Sequence, residues 1–177
     1  MGMTFSDRMI LWLAQGLGSG RLRPGPGTWG SVVGFFWLLV LLSASNLWVW
    51  GVGTLLGLWI AIPVCGRAEV LLGQHDPGSV VLDEIAALPL VWIGPLLVMD
   101  WPQFASPVAP SAVAFAHWRE LVAGFLAFRV FDIWKPGGIR RAQKLRGGAG
   151  VVADDVLAAV AAAPVAGMVA YFHWRGL

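Results

Sequence analysis

Charge is scarce in this chain of 177 residues, of which 12% are Asp, Glu, Lys or Arg and 58% are hydrophobic. Soluble domains carry about 25% charged and about 45–50% apolar residues, so this sequence lacks the side chains needed to clothe a globule in water. The deficit excludes most soluble enzymes and binding modules, and a mean hydropathy of +0.72 directs the chain to a bilayer. Cysteine is almost missing as well: Cys65 stands alone, which excludes an internal disulfide framework and a cysteine-rich metal site. Twelve Lys and Arg against 10 Asp and Glu leave a net charge of only +2, and no contiguous basic surface is evident. A nucleic-acid partner is therefore not expected. Without a long linker, an internal repeat or a low-complexity tail, residues 1–177 read as one membrane domain, with 1–27 as a cytoplasmic or interfacial N-terminal segment.

What is abundant is apolar sequence in long runs. A helix needs about 20 mostly apolar residues to cross a hydrocarbon core about 30 Å thick. Five candidates follow: Trp29–Ala44, Leu47–Cys65, Val80–Val98, Trp118–Trp134 and Val151–Tyr171. The expected fold is an all-α integral membrane protein, a compact bundle of about five transmembrane helices. Only Ser45 and Asn46 separate the first two runs, which predicts a tight hairpin. Met9–Leu17 could pass for the apolar centre of a signal peptide, but Arg21 and Arg23 just downstream oppose translocation, so a short interfacial amphipathic helix is expected there. Met1–Ser6 matches the loose acylation pattern headed by Gly2.

Lys and Arg concentrate in short cytoplasmic loops. Arg8, Arg21 and Arg23 precede the first run, Arg67 follows the second, and Lys135, Arg140, Arg141, Lys144 and Arg146 lie between the fourth and fifth. All fall on one side if there are five passes. The acidic, Pro-rich loop Met99–Ala116 falls on the other, with Trp48, Trp101 and Trp118 as an outer aromatic belt. The expected orientation has a cytoplasmic N-terminus.

This topology gathers scattered charges at one depth: Asp83 and Glu84 in the first turn of the third helix, Arg129, Asp132 and Lys135 in the last turns of the fourth, and Asp154 and Asp155 in the first turn of the fifth. Ionisable groups in spans are destabilising by several kcal/mol, about 3 on insertion scales, unless paired or wet, so they mark function by default. Five carboxylates on three helices suit a hard cation held through oxygen, Mg²⁺, with Asp83, Glu84, Asp132, Asp154 and Asp155 as candidate ligands. Arg129 and Lys135 beside them have the chemistry to hold phosphate. The competing structural reading makes Arg129 a charge balancer for Asp132 or Glu84, and Asp154 and Asp155 a helix cap.

Arg21, Arg23, Pro24, Gly25, Pro26, Gly27 and Thr28 lead into Trp29, Gly30 and Ser31. Hydroxyls and free N–H groups at a helix start can meet phosphate, which adds Arg23, Thr28 and Ser31 to the candidate substrate contacts; the same pattern also describes a turn and an N-cap. His75 and Asp76, before the third helix, could supply an acid or base or simply cap that helix. Gly30 with Gly34, and Gly53 with Gly57, have the spacing of close helix packing.

Four short motifs occur in order: Gly27-Thr28-Trp29-Gly30-Ser31; His75-Asp76-Pro77-Gly78-Ser79 followed by Asp83-Glu84-Ile85; Phe128-Arg129-Val130-Phe131-Asp132-Ile133-Trp134-Lys135-Pro136; and Gly147-Gly148-Ala149-Gly150 followed by Asp154-Asp155. In these the chain resembles the phosphatidylglycerophosphatase A family, from about Pro24 to Ala159. Gly137 and Gly138 depart from the family's aromatic and proline, and Ala87 and Ala159 from its glycines. The resemblance implies a Mg²⁺-dependent lipid phosphomonoesterase of the bacterial inner membrane, with a phospholipid substrate and a cytoplasm-facing site. Its expected catalytic set is Asp83, Glu84, Asp132, Asp155 and His75. A phosphatase or transferase for another lipid phosphate, such as a polyprenyl phosphate, would use the same parts. A transporter would instead place charges near the midplane on broken helices.

Overall fold

The computed structural model describes residues 3–99, 106–143, 145 and 147–176. Gly2, Trp101, Lys144 and Arg146, which enter the readings above, lie outside the described residues. The helices are α1 (Phe5–Ala14), α2 (Pro26–Ser43), α3 (Leu47–Leu72), α4 (Leu82–Ala87), α5 (Ile93–Leu96), α6 (Pro110–Ala116), α7 (Trp118–Trp134), α8 (Gly137–Ala142) and α9 (Gly148–Trp174). Tight 3₁₀ turns at Gly16–Arg21 and Leu88–Trp92 follow α1 and join α4 to α5. No strand occurs among the described residues.

Local chemistry explains where the rods begin and end. The Oγ1 of Thr4 accepts from the Asp7 N–H while Asp7 Oδ2 accepts from the Thr4 N–H, a reciprocal cap for α1. Arg67 Nη2 donates to Asp7 Oδ1 at 2.9 Å and ties α1 to α3. Pro26 opens α2, where its missing N–H leaves no bond unmade. Asn46 Oδ1 accepts from the N–H groups of Trp48 and Val49, turning the α2–α3 hairpin as its two-residue link requires.

Three helices, α2, α3 and α9, are long and apolar enough to cross a membrane. Their outward residues are large and apolar: Leu55 and Trp59 on α3 are 66% and 72% exposed. The buried seam is small-residued instead. Ala158, Ala159, Ala162, Ala166 and Ala170 of α9 are fully buried against the other rods. A Cβ on Gly94 would lie 1.7 Å from the Ala163 carbonyl oxygen, so α5 and α9 touch backbone to backbone. α7 and α9 run antiparallel, since α7 meets the start of α9 through Lys135 and Asp154 and its end through Glu120 and His173.

The third rod is not the single helix Val80–Val98. Val80 and Val81 precede the helical turns, and the chain breaks at Leu88–Trp92 because Pro89 and Pro95 cannot donate to the ladder. The break is tolerated because it is buried, and the Pro89 carbonyl accepts from Trp50 Nε1 at 3.3 Å. Four further boundaries move. α3 continues from Cys65 to Leu72, α2 begins at Pro26, α9 begins at Gly148, and part of the Met99–Ala116 loop forms α6. Consequently Asp154 and Asp155 lie beyond the first turn of α9 and do not cap it. α7 occupies the expected Trp118–Trp134 span. A helix does occupy the N-terminal segment, starting four residues before Met9 and ending before Gly16, where Leu17 turns left-handed.

Candidate active site

At one end of the bundle the starts of α2, α4 and α9 meet the ends of α3 and α7. Ser31, one turn into α2, is fully buried. Its Oγ lies 2.5 Å from Glu84 Oε2 and 3.0 Å from the Gly27 carbonyl, either of which can take its proton. Arg129 Nη1 donates to Ser31 Oγ at 3.1 Å, to Glu84 Oε2 at 3.0 Å and to Asp132 Oδ2 at 2.6 Å. A Cβ on Gly27 would crowd Glu84 Oε1 and lie 3.3 Å from both terminal Arg129 nitrogens, so a side chain there would have to displace the Glu84 carboxylate from its place beside Arg129.

Lys135 ends α7 in a left-handed turn, φ 44°, which carries its ammonium across to α9. Nζ lies 2.5 Å from Asp154 Oδ2, 3.9 Å from Asp132 Oδ1 and 4.0 Å from Asp76 Oδ2. Asp76 is held by its own N–H to Glu69 Oε1 at 2.8 Å and by the Gln143 side-chain amide, which donates to Asp76 Oδ2. The same Glu69 oxygen is 2.6 Å from His75 Nδ1. That hydrogen bond, with the attraction of the nearby carboxylate, raises the His75 pKa above its ordinary value.

A cavity of about 280 Å³ opens between these groups, lined by Asp76, Asp83, Glu84, Asp132, Asp154, Asp155 and Lys135. Asp83, Glu84, Asp132, Asp154 and Asp155 are all buried. Among the described residues, no Lys, Arg or His nitrogen lies within 4 Å of Asp83 or Asp155. Asp154 Oδ1 is buried without a hydrogen-bond partner. Six carboxylates thus face two cations, Lys135 and the adjoining Arg129. Such a set repels itself unless protons or a further cation join it.

The expected acids therefore come together, with Lys135 among them and Arg129 and Ser31 bonded to them. Three expected residues do not. His75 is mostly exposed and absent from the cavity lining, because the left-handed Asp76 (φ 48°) turns the chain so that the second residue of the pair enters instead. Arg23 and Thr28 are exposed and do not line the cavity. Glu69 and Gln143, the supports of Asp76, escaped the sequence reading. Glu69 would have been signalled only by extending the second apolar run past Cys65.

Oxygen donors of this kind are what a hard divalent cation takes. Among the described residues, however, no three carboxylate, His or Cys groups are close enough to hold an ion as they stand. Arg129 draws Glu84 and Asp132 to one side and Lys135 draws Asp154 to another.

The family profile described as phosphatidylglycerophosphatase A matches residues 12–170. The chain belongs to the phosphatidylglycerophosphatase A family. A Haemophilus influenzae relative named Phosphatidylglycerophosphatase A is 35% identical over 161 residues, 90% of this chain and 88% of that protein. The Escherichia coli K12 protein of the same name is 32% identical over 164 residues, 92% of this chain and 83% of its own. A Bacteroides thetaiotaomicron protein with the provisional name phosphatidylinositol-3-phosphatase is 33% identical over 152 residues, 84% and 85% of the two chains. No solved structure matches the chain.

Proposed function

We propose that this protein hydrolyses the terminal phosphomonoester of phosphatidylglycerophosphate, releasing phosphatidylglycerol and inorganic phosphate. The observation that carries the reading is the acid-rich cavity at one end of an apolar bundle, beside Arg129 and Lys135, in a chain of this family. Lys135 and the Arg129 fork bind the phosphoryl oxygens and offset their charge, and Ser31 keeps the Arg129 side chain in place. One of the two carboxylates without a cationic partner, Asp83 or Asp155, takes a proton from water as its oxygen bonds to phosphorus. The phosphorus–glycerol oxygen bond breaks, and the departing oxygen leaves as an alcohol after gaining a proton from a second carboxyl group. The ligands for Mg²⁺ would come from whichever of Asp83 and Asp155 is not the base and from Asp154 Oδ1, with Glu84 and Asp132 available once Arg129 turns to substrate. Such an ion would supply Lewis-acid stabilisation of the phosphoryl group and a lower pKa for water.

The bacterial relatives and apolar helices favour an inner-membrane location. Five passes follow if the broken third rod and α7 also cross, and the basic residues at the cavity end then put that end and the N-terminus in the cytoplasm. Cys65 is fully buried and so gives no background in thiol labelling. Ser106→Cys should react with an impermeant reagent in intact cells, and Gly137→Cys only after lysis.

The Bacteroides relative's name favours a second headgroup, phosphatidylinositol 3-phosphate, for the same phosphomonoester chemistry. Phosphate release by purified protein from both lipids and a polyprenyl phosphate, with and without Mg²⁺, tests the proposal. Turnover of phosphatidylglycerophosphate no faster than of the others, or undiminished by exhaustive chelation, would sink the headgroup or the metal respectively.

A further inference from the structure

Hydrolysis of a lipid monoester requires the acyl chains to have a place while the phosphate sits among the carboxylates. We infer that the cleft between α2 and α7 seats an acyl chain of the substrate, an inference that rests on the lipid phosphatase reading. This cleft has a volume of about 320 Å³ and is lined by Val32, Phe35, Phe36, Val122 and Phe125, with no polar surface.

Continuity with the site identifies the occupant. The two helices that form the cleft also wall the carboxylate cavity, α2 through Pro26 and Gly27 and α7 through Asp132. Phe35 is one turn along α2 from Ser31, and Phe125 one turn along α7 from Arg129, so each apolar residue shares a helix face with a polar one that its neighbours bond. At about 1.5 Å per residue, Val32 lies about 7 Å beyond Gly27, and Phe125 about 10 Å beyond Asp132. That separation lies within the reach of the headgroup chain that links a terminal phosphate to the first methylenes. Phe35 and Phe125 meet edge to face with centroids 6.2 Å apart and floor the cleft, while Phe36, 61% exposed, stands at its rim. A larger apolar groove between α5 and α9 lies on another face; α9 also walls the carboxylate cavity, through Asp154 and Asp155, but α5 contributes no residue to it. Only one of its two helices thus reaches the headgroup site, against both for the α2–α7 cleft.

The cleft then adds binding that a headgroup alone cannot use, which should appear in the chain-length preference rather than in phosphate handling. The test compares kcat/KM for dioleoyl phosphatidylglycerophosphate and for its deacylated, water-soluble headgroup, in detergent micelles. Wild-type protein should favour the diacyl substrate. Val122→Trp, which fills the cleft, should lower the diacyl-to-deacylated ratio by at least about tenfold, whereas Leu55→Trp on the outer face of α3 should change it by less than about twofold. Val32→Phe fills the cleft from α2 and serves if the tryptophan variant fails to fold. A ratio unchanged in both cleft variants, or lowered as far by Leu55→Trp, would overturn the inference and leave the phosphatase reading intact. Wild-type protein that turns over the deacylated headgroup as well as the lipid would also overturn it. Phosphate release from neither substrate would remove the phosphatase reading itself, and the inference with it.

Discussion

The bundle buries ionisable groups at both ends, and the two clusters differ in charge ratio. Opposite the cavity, Glu120 of α7 is fully buried and meets His173 Nδ1 of α9 at 2.5 Å, near His117, Trp92 and Trp174. One acid there faces two histidines, His173 bonded to it across a helix pair and His117 beside it. At the cavity end six carboxylates face two cations around about 280 Å³ of space. A matched pair can hold helices in register without taking part in chemistry. An unmatched set has no such economy, since each additional acid raises the repulsion, and it makes sense where a ligand completes the charge.

Substitutions should separate the two ends. The largest effect is expected from Asp83→Asn and Asp155→Asn, which keep shape and remove unmatched charge. Each should slow phosphate release by about two decades, on the order of 3 kcal/mol of transition-state stabilisation, with a melting temperature in detergent unchanged or raised. Early melting with normal turnover of the folded fraction would make this end another structural clamp. Arg129→Lys preserves charge and loses the planar fork, so activity should fall at least about tenfold in a protein that still inserts. Glu120→Gln inverts the pattern: stability should drop by on the order of 2 kcal/mol while kcat of the folded protein stays near normal. A collapse of kcat in that variant would link the far end to catalysis.

The smallest effect concerns the rim. His75 has a folded-state pKa raised above its ordinary 6.5 by its hydrogen bond to Glu69. Its contribution to stability is therefore complete below about pH 6.5 and disappears as pH rises through the raised value. The melting-temperature difference between wild type and His75→Gln, followed from pH 5 to 9, should shrink toward high pH. A constant difference would show that the imidazolium is not what Glu69 binds.

Much of the charged end could be read from sequence because Asp83, Glu84, Asp132, Lys135, Asp154 and Asp155 all fall at one end of the helical pattern when residues are counted along the apolar runs. Partners were harder to read. Arg129 pairs with both Glu84 and Asp132, which the sequence offered only as alternatives. Glu120 with His173 depends on the antiparallel register of α7 and α9, set by an alanine seam that has no local signature. His75 and Asp76 show the limit of motif reading, because one left-handed residue decides which of two neighbours faces the cavity. The break at Leu88–Trp92 was signalled by Pro89, but hydropathy alone runs through it.

The order of translation gives the central position of α9 a further meaning. α9 is made after α2, α4 and α7, and it brings both Asp154 and Asp155 together with the alanine seam on which they pack. Until α9 is made, the acids of those helices have neither a complete cavity nor the Lys135–Asp154 bridge. The carboxylate cavity is thus complete only once α9 has packed against the helices made before it.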